Sequence, residues 1–555
     1  MVASIQEPVQ SFAAVHSREL ATHVLFERWP SMSEPASNVV RGQQNEDSPG
    51  GIPRDNRSLS HKTASGVAWI SLFQIARQLL QVASVSVLAR RVPPSAYGLV
   101  AMAVVITALL ETVRDAGTGT ALVREREVSD DLAATVFWLT CGLGLVITLI
   151  VIVVSWPASH FFHEPKVATV LQFLSIGSLL GSIGVVPLAM LNREMAFRKV
   201  ALAQTAGAIG GTIVAIIVAL AGGGVWSLVS GSITTITVTT LAIWIASPFR
   251  VKAVFRPADA RHMLSFGLNL SGVNVLNYFS RNSDNLLVGK FLGSVPLGFY
   301  QMGYMLMTYP IQNFAAVVAQ VVYPALSKIQ DDRERFRAAY LRTCRLIGLL
   351  TFPLMLGLAV TAQPFVRVFL GARWMPVAGL LLIFAPLGAA QSIYTTNALI
   401  YNTQGRPDLQ FRWVMFASAM YVGSFVVGLR WGIMGVASCY AFVWLLLMVP
   451  SFMIPFRLVE LSGKQFLRTL WPTIWMSLVM AAITEAWLQG LRRLGVQNAP
   501  VELISTVILG IVVYLTLVLA YKPPVLLELA VTLKGSSRPA LQKIADCLSS
   551  AADGQ

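Results

Sequence analysis

Two apolar stretches of this chain carry side chains of the types that can bind anions and hydroxyl groups. In the first, Gln74, Arg77, Gln78 and Gln81 recur at three- and four-residue spacing; in the second, Asn274, Asn277, Arg281, Asp284 and Asn285 do nearly the same. On a helix such spacing gathers polar groups into one stripe. A stripe of this kind inside hydrocarbon must face a partner helix or water, because one ionisable residue at mid-membrane costs about 2.5–3.5 kcal/mol on insertion scales. Arg281 and Asp284 stand three residues apart and can neutralise one another, so a purely structural role, in which the stripes only hold a bundle together, stays open. Arg77 weighs against it, having no acid within a turn. An uncompensated arginine beside a hydrated cavity suits an anionic ligand, since its planar fork matches phosphate.

The elements that must position these stripes are membrane spans. Of 555 residues, 55% are apolar and only 12% charged, a balance that water-soluble globular chains rarely show. Apolar runs recur from Gly66 to Tyr521, each near the length of about 20 residues that crosses the bilayer as helix. The expectation is an all-α polytopic membrane protein of about 14 transmembrane helices. Residues 1–65, rich in Ser, Pro, Gly and Asn, read as a disordered cytoplasmic tail. Residues 66–246 form an N-terminal six-helix lobe, 247–262 a cytoplasmic linker, 263–456 a C-terminal six-helix lobe, 465–522 two additional helices and 523–555 a C-terminal cytoplasmic tail.

Orientation follows from the basic residues. Loops after even-numbered spans carry twenty-one Lys and Arg and those after odd-numbered spans nine, which puts both termini in the cytoplasm. The formal charge of +15 is then topology signal against anionic headgroups and calls for no nucleic acid.

The lobes are read from an internal repeat. Leu88–Ala103 overlays Val288–Gly303 at an offset of 200 residues, bringing Arg90 onto Lys290 and Gly98 onto Gly298; Gly222–Gly231 overlays Arg430–Cys439 at an offset of 208. Turns rich in Gly and Pro also resemble one another by chance, but two landmarks at nearly equal offsets favour a repeat. Six spans separate the paired segments, so the halves share one orientation, an arrangement that places a substrate site between two lobes. The same offset brings Gln74, Arg77 and Gln81 onto Asn274, Asn277 and Arg281.

Elsewhere the chemistry is thin. Glu111, Arg114 and Asp115 read as a self-compensated cluster near the inner end of the second span, and Gln312, Asn313, Gln320, Gln391 and Asn397 as interhelical hydrogen-bonders or wall residues of the second lobe. Four scattered cysteines imply neither disulfides nor a zinc site. His160 and His163 with Glu164 have metal-like letters on a short loop without a third nitrogen or sulfur ligand nearby. No phosphate loop and no nucleophile elbow appears. A transporter without cofactor or metal is expected, and not an enzyme.

The segments "LARRVPPSAYGLVAMA", "FRKVALAQTAGAIGG", "SRNSDNLLVGKFLGSVPLGFYQMGYML" and "YPALSKIQDDRERFRAAYLR" resemble the polysaccharide-export branch of the multidrug/oligosaccharidyl-lipid/polysaccharide transporter superfamily, and more narrowly its colanic-acid and succinoglycan type of Wzx flippase. The likeness covers the span region and omits the N-terminal tail. It implies a flippase of the bacterial inner membrane that carries undecaprenyl-diphosphate-linked oligosaccharide repeat units between leaflets for exopolysaccharide or lipopolysaccharide synthesis. Alternating access would then run around a cationic cavity, with two extra helices forming a groove for the lipid tail and a glycan polymerase and chain-length regulator as partners. On that reading Arg77 and Arg281 contact the diphosphate or acidic sugars, Gln74, Gln81, Asn274 and Asn277 bond sugar hydroxyls, and Asp284 orients Arg281 or couples transport to an ion. A cation-coupled drug or metabolite exporter of the same superfamily is the main rival and predicts unpaired carboxylates in the first lobe. A membrane glycan polymerase predicts a large outer loop, and every outer loop expected here is short.

Overall fold

The structure, a computed structural model, describes residues 81–521 apart from positions 82, 115–118, 120, 121, 124, 126 and 127; at 264–277 and a few other helical positions it describes the backbone alone. Gln74, Arg77, Gln78 and both tails lie outside the described residues.

Among the described residues there is no strand. After a helix that ends at residue 91 come α1 (Pro94–Arg114), α2 (Asp130–Phe162), α3 (Lys166–Arg193), α4 (Phe197–Leu220), α5 (Val225–Ala246) and α6 (Pro257–Leu292). The chain continues with α7 (Ser294–Pro310), α8 (Ala316–Lys328), α9 (Arg333–Val360), α10 (Met375–Tyr394), α11 (Asn397–Thr403), α12 (Pro407–Gly428), α13 (Gly432–Leu458), α14 (Gly463–Arg493) and α15 (Ala499–Tyr521). A π-turn at Ile311–Ala315 joins α7 to α8 directly after Pro310, which has no N–H to continue the ladder.

Ten stretches among the described residues are long and apolar enough to cross a membrane. One of them, Pro407–Leu458, is the two helices α12 and α13 joined by a tight turn at Leu429–Trp431. The ten do not include α6 or the α7–α8 pair; reaching fourteen requires counting these and the helix ending at residue 91. Polarity explains the omission of α6, which carries the second stripe along its length.

Capping decides where helices start. Ser129 accepts from the backbone N–H of Leu132 at 3.2 Å, and Asp130 and Asp131 follow in the first turn of α2, where the helix dipole favours negative charge. Asp332 caps α9 through the N–H of Arg335 at 3.1 Å. Pro257 and Asp259 open α6 six residues before the expected start at 263, because proline is preorganised for the first helical turn. The linker therefore covers 247–256. It is tied to the start of α2: Lys252 donates to Asp130 at 2.7 Å, Arg256 pairs with Asp131, and the Trp138 indole donates to the Lys252 carbonyl at 3.0 Å. The bond to Asp130 holds the Lys252 ammonium above its ordinary range.

The two halves meet backbone to backbone. A Cβ on Gly98 of α1 would collide with the Ser294 carbonyl oxygen, and one on Gly298 of α7 with that of Pro94. These four positions form two pairs related by the 200-residue shift, so the crossing lies on the axis of the repeat. Around it one buried cluster draws on both halves, Met102 and Phe162 packing with Leu297, Tyr300, Phe384 and Val436.

Replacing Gly298 with Val is expected to cost about 3 kcal/mol, since the backbones cannot separate without breaking this crossing. Gly142→Ala, where nothing lies within 4 Å of the new methyl, is the control. Thermal unfolding in detergent reads both, and equal midpoints for the two variants would refute the crossing.

Candidate functional site

The second polar stripe lies on α6. Asn274 and Asn277 are on its backbone path, with their side chains outside the described residues. From Tyr278 onward the side chains are mostly described. The Tyr278 hydroxyl donates to the carbonyls of Val104 and Val105 on α1, at 3.3 and 2.9 Å, which fastens α6 to the first half.

Three residues beyond Arg281, Asp284 is 4% exposed. Its carboxylate accepts from the Tyr300 hydroxyl on α7 at 3.0 Å and from the backbone N–H of Asn285 at 2.7 Å. Neither oxygen bonds Arg281, so the intrahelical ion pair that the spacing allows does not form. The phenol wins because α7 folds back against α6 and brings Tyr300 onto the face where Asp284 points; two hydrogen bonds are what a buried carboxylate requires. Sequence reasoning missed Tyr300, since no local spacing links it to a residue sixteen positions earlier.

Arg281 is left exposed. It makes no ion pair among the described residues and acts electrostatically on Tyr304 and Tyr394. Those rings belong to an aromatic array inside the second half. Tyr300 and Tyr304 stack at 6.3 Å, Tyr421 meets Tyr440 edge-on at 5.3 Å, and Gln391 donates to the Tyr440 hydroxyl at 2.9 Å. A free guanidinium beside phenolic rings can bind an anion through its fork and offer flat apolar faces to whatever the anion carries.

Gln81 sits elsewhere. It lines a lateral pocket of about 680 Å³ with Ser86, Tyr309, Leu349, Thr506 and Tyr514, between residues 81–86, α7, α9 and α15. The walls are almost wholly apolar, and the Tyr514 hydroxyl spans to the Leu349 carbonyl at 2.9 Å.

Other sequence candidates are absorbed by packing. Asn397 is buried, accepting from Tyr340 at 3.1 Å and donating to the Ser451 carbonyl at 3.0 Å. Glu111 accepts from Ser178 at 2.9 Å; the side chains of Arg114 and Asp115 lie outside the described residues. Glu164 accepts from Ser294 at 2.6 Å, and no group of metal-ligating side chains occurs among the described residues.

That last bond belongs to a set of ties, unforeseen from the sequence, across the end of the bundle where α6 turns into α7. Arg90 donates to the Val368 carbonyl, Ser86 to that of Phe369 at 2.6 Å, and the Trp374 indole to that of Ala89 at 2.7 Å. Lys290 lies 4.3 Å over the Phe161 ring. Arg90 and Lys290, matched by the repeat, thus each hold the opposite half, and this end is shut.

Residues 87–379 match the family described as polysaccharide biosynthesis protein. The chain is 24% identical over 437 residues to the lipopolysaccharide biosynthesis protein WzxC of Escherichia coli, covering 77% of this chain and 88% of that one. It is 25% identical over 472 residues to the succinoglycan biosynthesis transport protein ExoT of Rhizobium meliloti, covering 83% and 94%. In fold it is similar to the lipid II flippase MurJ in an inward closed conformation, with a TM-score of 0.67 at 18% identity over 82% of this chain and 99% of that one.

Tyr300→Phe removes a donor from a buried carboxylate and is expected to cost about 1–3 kcal/mol. Arg281→Gln is expected to change stability by no more than about 0.5 kcal/mol, as for substitutions outside any bonded network. Thermal midpoints check both; a loss for Arg281→Gln as large as for Tyr300→Phe would mean that the arginine does neutralise Asp284.

Proposed function

This chain belongs to the polysaccharide biosynthesis protein family, and from that premise we propose that it is a flippase that carries lipid-linked oligosaccharide repeat units across the bacterial inner membrane for exopolysaccharide or lipopolysaccharide synthesis. The carrier is undecaprenyl diphosphate. The protein is a transporter and not an enzyme, in keeping with relatives named for transport and biosynthesis of such glycans. The excess of basic residues on one set of loops supports a multi-pass protein with both termini in the cytoplasm. The end closed by Arg90 and Lys290 is then the periplasmic end.

The observation that carries the reading is Arg281, exposed on α6 with its expected acid turned to Tyr300. A cation in this position attracts the diphosphate or acidic sugars, and Arg77, the arginine of the first polar stripe, joins it. Asn274, Asn277 and Gln74 bond sugar hydroxyls, and the tyrosines around Arg281 stack against sugar rings. Gln81 belongs with the lateral pocket, where apolar walls receive part of the isoprenoid while the head is inside. A glycan polymerase and a chain-length regulator receive the delivered units. Asp284, held by a phenol and a backbone amide, is the coupling residue of the second lobe.

Replacing Arg281 or Arg77 with Gln removes a charge-assisted contact worth about 1.5–3 kcal/mol. Glycan export is expected to fall about ten- to a hundredfold at unchanged protein level. Full export by the double variant would reject the assignment. Coupling through Asp284 predicts that flipping in proteoliposomes responds to an imposed proton or sodium gradient and that Asp284→Asn abolishes the response; indifference of the wild type to both gradients rejects coupling.

A further inference from the structure

We propose that the inner-leaflet end of the lateral pocket is a second, docking site for an isoprenyl diphosphate, built on Arg342 and Arg345 of α9. The inference rests on the lipid-linked substrate reading above and adds a place where the lipid head waits before it reaches Arg281. Its basis is how α9 is used along its length. Leu349, Leu350, Pro353, Leu354, Gly357 and Leu358 form the α9 wall of the pocket. Arg345 precedes Leu349 by four residues and Arg342 by seven, so both extend that face, about 6 and 10 Å further toward the start of the helix.

Their depth fits a lipid phosphate. The hydrocarbon core takes about 20 helical residues, so a span that closes near Phe365, just before the turn at Gly371, enters the core near Arg345. Both arginines are half-buried. Arg333 and Arg337 hold the start of α9 to Glu460, the first as an ion pair and the second by donating to the Glu460 carbonyl at 3.0 Å, while Arg335 pairs locally with the N-cap Asp332 at 3.2 Å. Arg345 makes no ion pair among the described residues. Directly above it the bond from Tyr514 to the Leu349 carbonyl fixes α15 against α9, so the apolar walls close over a tail whose head lies at the arginines.

Two guanidinium groups one turn apart suit two linked phosphoryl groups better than the single phosphodiester of a phospholipid. The pocket also contains Gln81, the last residue of the first polar stripe, which gives the head a polar group on the way inward. An anionic phospholipid is the competing occupant.

The test uses the full chain in phosphatidylcholine nanodiscs, with farnesyl diphosphate binding followed by native mass spectrometry. Working in an R77Q/R281Q background silences the central site. Adding R342Q/R345Q is expected to weaken the remaining affinity at least about tenfold, as loss of charge-assisted contacts does, whereas R342K/R345K retains most of it; this rescue separates lost charge from lost fold. Unchanged affinity in R342Q/R345Q overturns the proposal, and so does displacement by phosphatidylglycerol at an equal mole fraction. Loss of all binding in R77Q/R281Q alone overturns the second site and leaves the flippase reading standing, since that reading is tested by transport.

Discussion

Two backbones touch where α1 crosses α7, at Gly98 against Ser294 and at Gly298 against Pro94, and the geometry of the rest follows from that contact. Lipid gives helices no hydrophobic reason to associate, so close approach of small residues and interhelical hydrogen bonds must hold them. With no side chain between α1 and α7, the neighbouring helix ends come within reach of the opposite half: Arg90 reaches the Val368 carbonyl and Lys290 the Phe161 ring. One end of the bundle is thereby tied across, and α6 is held against α7 at a fixed rotation.

That rotation settles what the charges on α6 do. Asp284 turns toward α7 and is satisfied by Tyr300 and a backbone amide, the neutral partners that a buried carboxylate needs when no cation is spared for it. Arg281, almost one turn back, is left exposed among tyrosines. A helix that would be a poor span by its composition thus separates its polarity into one residue that stabilises the α6–α7 hairpin and one that is free for a ligand.

The second half divides α9 in a comparable way. Its first turns bond Glu460 through Arg333 and Arg337, its middle forms an apolar wall with α15, and Arg345 between these regions makes no ion pair among the described residues. A lipid-linked substrate has the same division, a charged head joined to a long tail, so one helix can serve both parts if the change from charge to apolar surface falls at the hydrocarbon boundary.

Much of this was legible in the residues. Apolar runs of membrane length, the basic bias of alternate loops, the repeat at 200 residues and the polar stripe on α6 are properties of local composition and spacing, and helices in lipid must satisfy their own backbones wherever they pack. Even the crossing was half visible, as Gly98 over Gly298, although nothing in the spacing said that the two touch. The pairing of charges was not legible. Spacing offered Asp284 to Arg281 and placed Gln81 with the sugar contacts, whereas the folded chain gives Asp284 to Tyr300 and turns Gln81 to an apolar pocket; Asn397, open between an interhelical bond and the wall, is buried between Tyr340 and Ser451. Sequence alone determined which segments enter the membrane and which polar residues they carry there. Only the tertiary structure decided which of those residues are satisfied and which are left for a ligand, because a side chain's partner is set by the rotation of the neighbouring helix, and that rotation depends on contacts between residues far apart in the chain.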